Sequence, residues 1–186
     1  MIMKLLRCLL FASLAVLSVG STLGFSENPR DRLEVIAQSD HTIWNGVTVS
    51  ADGRIFLNFP PLSPRPLESV GEIGSDGKSR PYPGGEWNTW EVGKPVEHAF
   101  VGTNAVRIGP EGDLWVVDTG TPSFGAETLP NAPKVVRIDL HRNAVTHVYP
   151  LGPEVALRHS YVDDIRFHGH LAYLTDAGVP GIIVLV

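Results

Sequence analysis

The chain has 186 residues, 43% hydrophobic and 19% charged, with 19 glycines, 15 prolines and a formal net charge of −5. That balance belongs to a turn-rich globular protein and excludes a disordered or collagen-like one. The acidic excess, with no cluster of Lys and Arg, argues against a nucleic-acid partner.

Met1 to about Gly24 has the pattern of a secretory signal peptide. Lys4 and Arg7 supply the positive start, Cys8 to Val19 is apolar and uncharged, and small residues follow, with cleavage expected after Gly20 or Gly24. The apolar run is shorter than the roughly 20 residues a membrane span needs. The expectation is a secreted protein, extracellular or periplasmic, with no membrane attachment once the signal is removed. Removal takes Lys4, Arg7 and the only cysteine, leaving 13 basic and 20 acidic side chains, a formal charge of −7. Without a thiol the mature chain can form neither disulfides nor thiolate metal sites.

Residues 25–43 form a polar lead-in, in which Leu33-Glu34-Val35-Ile36-Ala37 is expected as a strand. From residue 44 to 186 a strand–turn–strand unit recurs. It begins at Asn45, at Asn104 and at Asp163, a spacing of 59 residues each time. The first copy runs from about 44 to 97. Asp52-Gly53 lies between two apolar alternations, a hairpin signal because glycine accepts positive φ. Ser69–Ile73 and Ser79–Tyr82 add two strands around the Ser75–Lys78 turn. Pro60 to Pro66 is a surface connection, since proline cannot donate to a ladder. Pro83 to Glu97 is a long loop.

The second copy, about 103–152, has strands at Asn104–Ile108, Leu114–Val117, Val135–Asp139 and Val145–Tyr149. The third, about 160–186, has three strands and no fourth. Four antiparallel strands per repeat, apolar on both faces, is the plan of a β-propeller blade packed between neighbouring blades. The fold class is therefore all-β, a β-propeller with about two and a half blades. Closed propellers use about 4–8 blades, so the chain is expected to be the N-terminal part of one, with its C-terminal blades missing.

The residues that carry this pattern resemble the major royal jelly protein and Yellow family. Gly46 to Pro60 is similar to that family's first blade, as are Asp76-Gly77-Lys78, Arg80-Pro81-Tyr82-Pro83 and Glu86-Trp87-Asn88. Leu114-Trp115-Val116-Val117-Asp118-Thr119-Gly120 and Thr175-Asp176-Ala177-Gly178 match further on. The resemblance implies a secreted six-bladed propeller, distantly similar to gluconolactonase and regucalcin. It implies no single reaction: relatives are linked to pigment precursors, to biogenic amines, or to nutritional and structural roles.

Repeat-equivalent residues at the start of the first strands converge on a propeller's central channel. Asn45, Asn104 and Asp163 are therefore candidate oxygen ligands for Ca²⁺ or another divalent cation, as Asn and Asp are in gluconolactonase-type relatives. The competing reading is that they cap backbone groups at strand starts. Trp44, Trp87 and Trp90 are candidates to stack on a ligand at the channel mouth, with core packing as the alternative. Asp118 and Asp176 are expected to cap loop N–H groups. Asp164 is a candidate general base beside Asp163, since two near carboxylates push one pKa up; against this, adjacent strand residues are expected to face opposite sides. The seven histidines, His41 among them, show no metal-ligand spacing, and no nucleophile elbow surrounds Ser160. Two functions follow: a small-molecule-binding propeller, or a metal-dependent lactone hydrolase resembling gluconolactonase. No catalytic residue is assigned.

Overall fold

The computed structural model describes residues 33–39, 42–62 and 66–186. The signal-peptide reading, His41 and part of the Pro60–Pro66 connection lie outside them. Local turn chemistry sets the frame. In Ser50–Arg54, Gly74–Lys78 and Gly109–Asp113 the fourth residue donates its N–H to the first residue's carbonyl, at 3.0, 2.9 and 3.0 Å. The first N–H returns to the fifth carbonyl at 2.9 Å each time. The fourth residue is always glycine, at φ of 87°, 73° and 86°, the left-handed position that a side chain would strain.

These turns join strands β1 (Val47–Val49) to β2 (Ile55–Asn58), β3 (Val70–Ile73) to β4 (Ser79–Pro81), and β5 (Thr103–Ile108) to β6 (Leu114–Asp118). β7 (Lys134–Asp139), β8 (Ala144–Pro150), β9 (Val162–His168), β10 (Leu171–Asp176) and β11 (Gly181–Leu185) follow. All neighbours are antiparallel and sequential, giving sheets β1-β2-β3-β4, β5-β6-β7-β8 and β9-β10-β11. A 3-10 helix, Gly85–Asn88, interrupts the long loop of the first repeat.

The second sheet is buried on both faces, and its alternation shows how. Val106, Val116 and Val136 are paired across the ladder and enter one core with Phe56, Val70 and Phe100. Their neighbours Ala105, Val117 and Val135, also paired, enter another core with Val162, Ile165 and Leu174. Successive residues of a strand point to opposite faces, so one sheet seals two interfaces. The edge strands β1, β5 and β9 lie side by side, and the Ile108 N–H donates to Thr48 Oγ1 at 3.1 Å. Sheets stacked face to face with their first strands adjacent are the blades of a β-propeller, two of four strands and one of three.

Arg54 clamps the first two blades. It makes a bidentate pair with Glu72, 2.7 and 2.9 Å, and its guanidinium lies 5.0 Å from the Phe56 ring and 5.2 Å from that of Tyr82. It then crosses to the second blade, donating to Leu140 O at 2.8 Å and Asn143 Oδ1 at 2.9 Å.

One expected strand does not form. Leu33–Ala37 is irregular, with Leu33, Val35 and Ile36 exposed. Its apolar residues alternate, but among the described residues no strand pairs with it, and a lone strand has no hydrogen bonds of its own.

Candidate functional site

Each blade ends its second strand on a buried Asn or Asp that ties down the chain entering its first strand. Asn58 Oδ1 accepts the Gly46 N–H at 2.8 Å. Asp118 accepts the N–H groups of Val101, Gly102 and Gly120 at 2.9, 2.8 and 2.9 Å, and the Lys134 ammonium at 2.8 Å. Asp176 Oδ1 accepts those of Tyr161, Gly178 and Val179 at 2.8, 3.0 and 3.0 Å. Asp118 and Asp176 are thus backbone caps. Burial would push Asp176 up, but hydrogen bonds from Ser160, Val179, Tyr161 and Gly178 outweigh it and hold the carboxyl below its usual value.

This anchoring coincides with irregular pairing. Thr103 pairs with Asp118 and Ala105 with Val117, so Asn104 is an extra residue. Ile165 pairs with Leu174 and Val162 with Asp176, so Asp163 and Asp164 together oppose Thr175. Both are β-bulges, which re-aim side chains and often border functional sites.

The three repeat-equivalent residues form one row, Asn104 and Asp163 at the bulges and Asn45 just before β1. Asn45 Nδ2 donates to Asn104 Oδ1 at 3.0 Å and to Asn104 O at 2.9 Å. Asn104 Nδ2 donates in turn to Asp163 Oδ1. Tyr161 Oη donates to Asn104 Oδ1 at 2.9 Å. Burial and then the charge of Asp163 push the Tyr161 phenol up, so it remains a donor. Asn104 is buried, Asp163 half-buried and Asn45 exposed. The oxygens have the chemistry a hard cation takes. However, Asn104 Oδ1 already accepts two hydrogen bonds, and its amide nitrogen is turned to Asp163. Among the described residues no three His, Cys, Asp or Glu side chains cluster as metal ligands.

A second row lies three residues further along the same strands. Arg107 and Arg166, again 59 apart, both reach Asp164: Arg107 Nη2 at 3.2 Å and Arg166 Nη1 more closely. Burial pushes Asp164 up, while Arg166, the Ile165 N–H and Arg107 more than offset it, so the carboxyl sits below its usual value. That removes the general-base reading of Asp164, which needed a raised pKa. The bulge explains why two adjacent acids both engage β5 instead of facing opposite sides.

The tryptophans do not gather. Trp87 packs on Phe100, ring centroids 5.0 Å apart, in the core between the first two blades. Trp90 is 5% exposed in a separate cluster with Ala99, Val101 and Ala132. Trp44 is half-buried, one residue before Asn45. Ser160 is buried, accepting the Leu157 N–H at 2.8 Å, and serves the Asp176 cap. A cavity of about 390 Å³ opens at the turn end of the second and third blades, lined by Trp115, Tyr149, Phe167 and Arg137. Tyr161, Arg107 and Arg166 were not singled out from the sequence. The two arginines carried a usable signal in their 59-residue spacing, whereas Tyr161 has Gly102 at the matching position.

Comparison with known proteins gives one match to a family model and two structural likenesses. Residues 101–185 match the family model described as major royal jelly protein. Virginiamycin B lyase from Staphylococcus aureus is similar over 79% of this chain and 42% of its own, with 13% identity and a TM-score of 0.43. A protein of unknown function from Bacteroides caccae is similar over 79% and 47%, with 12% identity and a TM-score of 0.42. The chain spans less than half the length of either structure. No curated protein matches it. The match over residues 101–185 spans the second blade and the strands of the third, and agrees there with the resemblance carried by Leu114–Gly120 and Thr175–Gly178.

Proposed function

We propose that this is a secreted propeller of the major royal jelly type that binds a small molecule where its first strands converge. The row Asn45–Asn104–Asp163, two of its members at bulges and joined by Tyr161, carries the reading. It sets several fixed polar groups on neighbouring strands, and the half-buried Trp44 immediately precedes Asn45 in the chain. A few convergent polar groups next to an apolar wall are the usual make-up of a ligand site. Trp87 and Trp90 spend their rings on packing, so the stacking role falls to Trp44. A thermal-shift screen with aromatic amines, amino acids, lactones and organic acids tests it. At least one class should raise Tm, and Trp44→Ala should abolish that rise. No shift with any class would overturn the reading.

The second reading is a lactone hydrolase using a divalent cation held by Asn45, Asn104 and Asp163. It is favoured by the three oxygen-bearing side chains lying in one row. A bound cation there would polarise a lactone carbonyl and lower the pKa of a water. For Asn104 to join as a ligand, its Oδ1 must give up the bonds from Asn45 and Tyr161. Calorimetric titration with Ca²⁺ decides the matter: Asp163→Asn should weaken binding more than Asn45→Ala, because it removes the only formal charge of the three.

A further inference from the structure

Asn45 is followed by glycine, the only Asn-Gly pair among the chain's seven asparagines. In an unfolded chain such a pair is chemically labile. The backbone nitrogen of the second residue attacks the asparagine Cγ, and glycine, having no Cβ, neither hinders the approach nor restricts the backbone. The first blade nonetheless requires glycine here. A Cβ on Gly46 would lie 2.5 Å from Asn58 Oδ1, the same oxygen that accepts the Gly46 N–H at 2.8 Å. The cap of the first blade therefore sits directly on residue 46. The matching position is Ala105 in the second blade and Asp164 in the third, so the labile pair belongs to the first blade alone.

The folded chain commits both reacting groups elsewhere. The Gly46 N–H is spent on Asn58. The Asn45 carboxamide is drawn into the row, its Nδ2 donating to Asn104 O at 2.9 Å and to Asn104 Oδ1 at 3.0 Å. The Asn45 N–H donates to Asn58 O at 3.1 Å, and the Asn58 N–H returns to Gly46 O at 3.3 Å. Reaction has to wait until these bonds open together. The strand they lead into is β1, a three-residue sheet edge with Val47 58% exposed and Val49 55% exposed. Such a segment opens locally at a fraction of the free energy of global unfolding.

We infer that Asn45-Gly46 is a modification site, one of deamidation, whose rate is set by how often the start of β1 opens. In the first step Gly46 N bonds to Asn45 Cγ and gives up its proton to solvent. The Cγ–Nδ2 bond breaks, Nδ2 takes up a proton and leaves as ammonia, and a five-membered imide remains. Water then opens the imide at one of its two carbonyls, giving aspartate or isoaspartate. Either product replaces the donor amide with a carboxylate, which faces the acceptors Asn104 O and Oδ1. Isoaspartate also adds a methylene to the backbone. The row cannot re-form as it was, so the change runs one way. The inference rests on the hydrogen bonds of the row and needs no ligand in the channel.

The mature chain is incubated at mildly alkaline pH, both folded and in urea. Mass spectrometry of the peptide holding residues 45 and 46 then resolves the asparagine, aspartate and isoaspartate forms. In urea Asn45 should convert. In the folded chain it should convert at least about tenfold more slowly, because only the opened fraction reacts. Asn58→Ala frees the Gly46 N–H and Asn104→Ala frees the Asn45 carboxamide. Each variant that still melts cooperatively should lose most of the protection. Should neither fold, deuterium uptake at the Gly46 amide of the unaltered chain replaces them, and conversion should rise in step with it as urea is added below the unfolding midpoint. Converted protein, separated by its extra negative charge, should melt at a lower temperature than the rest. Equal rates folded and in urea, no conversion in urea, a folded variant as protected as the unaltered chain, or conversion that ignores Gly46 opening would each overturn the site.

Discussion

Lys134 Nζ lies 2.8 Å from Asp118 Oδ2 with both side chains sealed from solvent, 2% and 0% exposed. The first blade performs the same backbone capping with the uncharged Asn58, and the third does it with Asp176 and no lysine. The charge pair is therefore one of three solutions to a single geometric need.

Removing only one member should be severe. Lys134→Met leaves Asp118 ionised and buried, and should cost about 3–5 kcal/mol in urea unfolding. The double variant Asp118→Asn with Lys134→Met should recover most of that loss, because it recreates the amide solution of the first blade. A double variant as unstable as Lys134→Met alone would contradict this account.

Acid should act through Asp176 and Asp164. Both carboxyls are held below their usual value in the folded chain, against about 3.9 when unfolded. Their stabilising contribution is complete above that unfolded value and is lost as pH falls through the lower folded one. Melting temperature followed from pH 7 to pH 2 should drop below about pH 4. In Asp176→Asn the protein should start less stable at neutral pH and show a shallower acid decline.

Arg54→Lys tests the clamp between the first two blades. Lysine keeps the charge but cannot hold Glu72 bidentately and still reach Leu140 O and Asn143 Oδ1. A loss of about 1–3 kcal/mol is expected, the range for hydrogen bonds to charged groups. Chemical unfolding would measure it, and a loss no larger than that of an exposed arginine would argue against the clamp.

Most of the architecture was readable because it rests on local chemistry. Asp52-Gly53, Asp76-Gly77 and Glu111-Gly112 announce their turns, and the apolar runs between them announce strands that are buried twice. Leu33–Ala37 shows the limit of that reasoning: its residues alternate suitably, but a strand also needs a neighbour. The 59-residue spacing correctly grouped Asn45, Asn104 and Asp163. It did not show that Asn104, Asp163 and Asp164 sit on bulges, because a bulge is defined by the partner strand. For the same reason adjacent Asp163 and Asp164 were expected to diverge, and they do not.

Export is tested at the chain's start. Protein recovered outside the cell should begin between Ser21 and Ser26, where the small-residue stretch ends. Edman or mass-spectrometric sequencing would show it, and Met1 retained in a membrane fraction would refute it.

The edge strand β11 should drive self-association. Ile182 is 72% exposed and Val184 45% exposed on a strand that has no outer neighbour among the described residues, so the expectation is for a polypeptide of residues 1–186. Exposed, unpaired apolar edges aggregate. Light scattering should fall when Ile182→Lys is introduced, and unchanged scattering would locate the sticky surface elsewhere.

The shared cores of the middle blade also set an order of events. Val116 and Val117 are neighbours in one strand, yet each helps hold a different pair of sheets together. A stack stabilised only by contacts between adjacent units loses structure from its uncovered ends inward. Amide deuterium uptake should therefore be slowest in β6, whose two faces lie in different cores. The centre of that strand would act as the last hinge to let go and the natural seed for refolding.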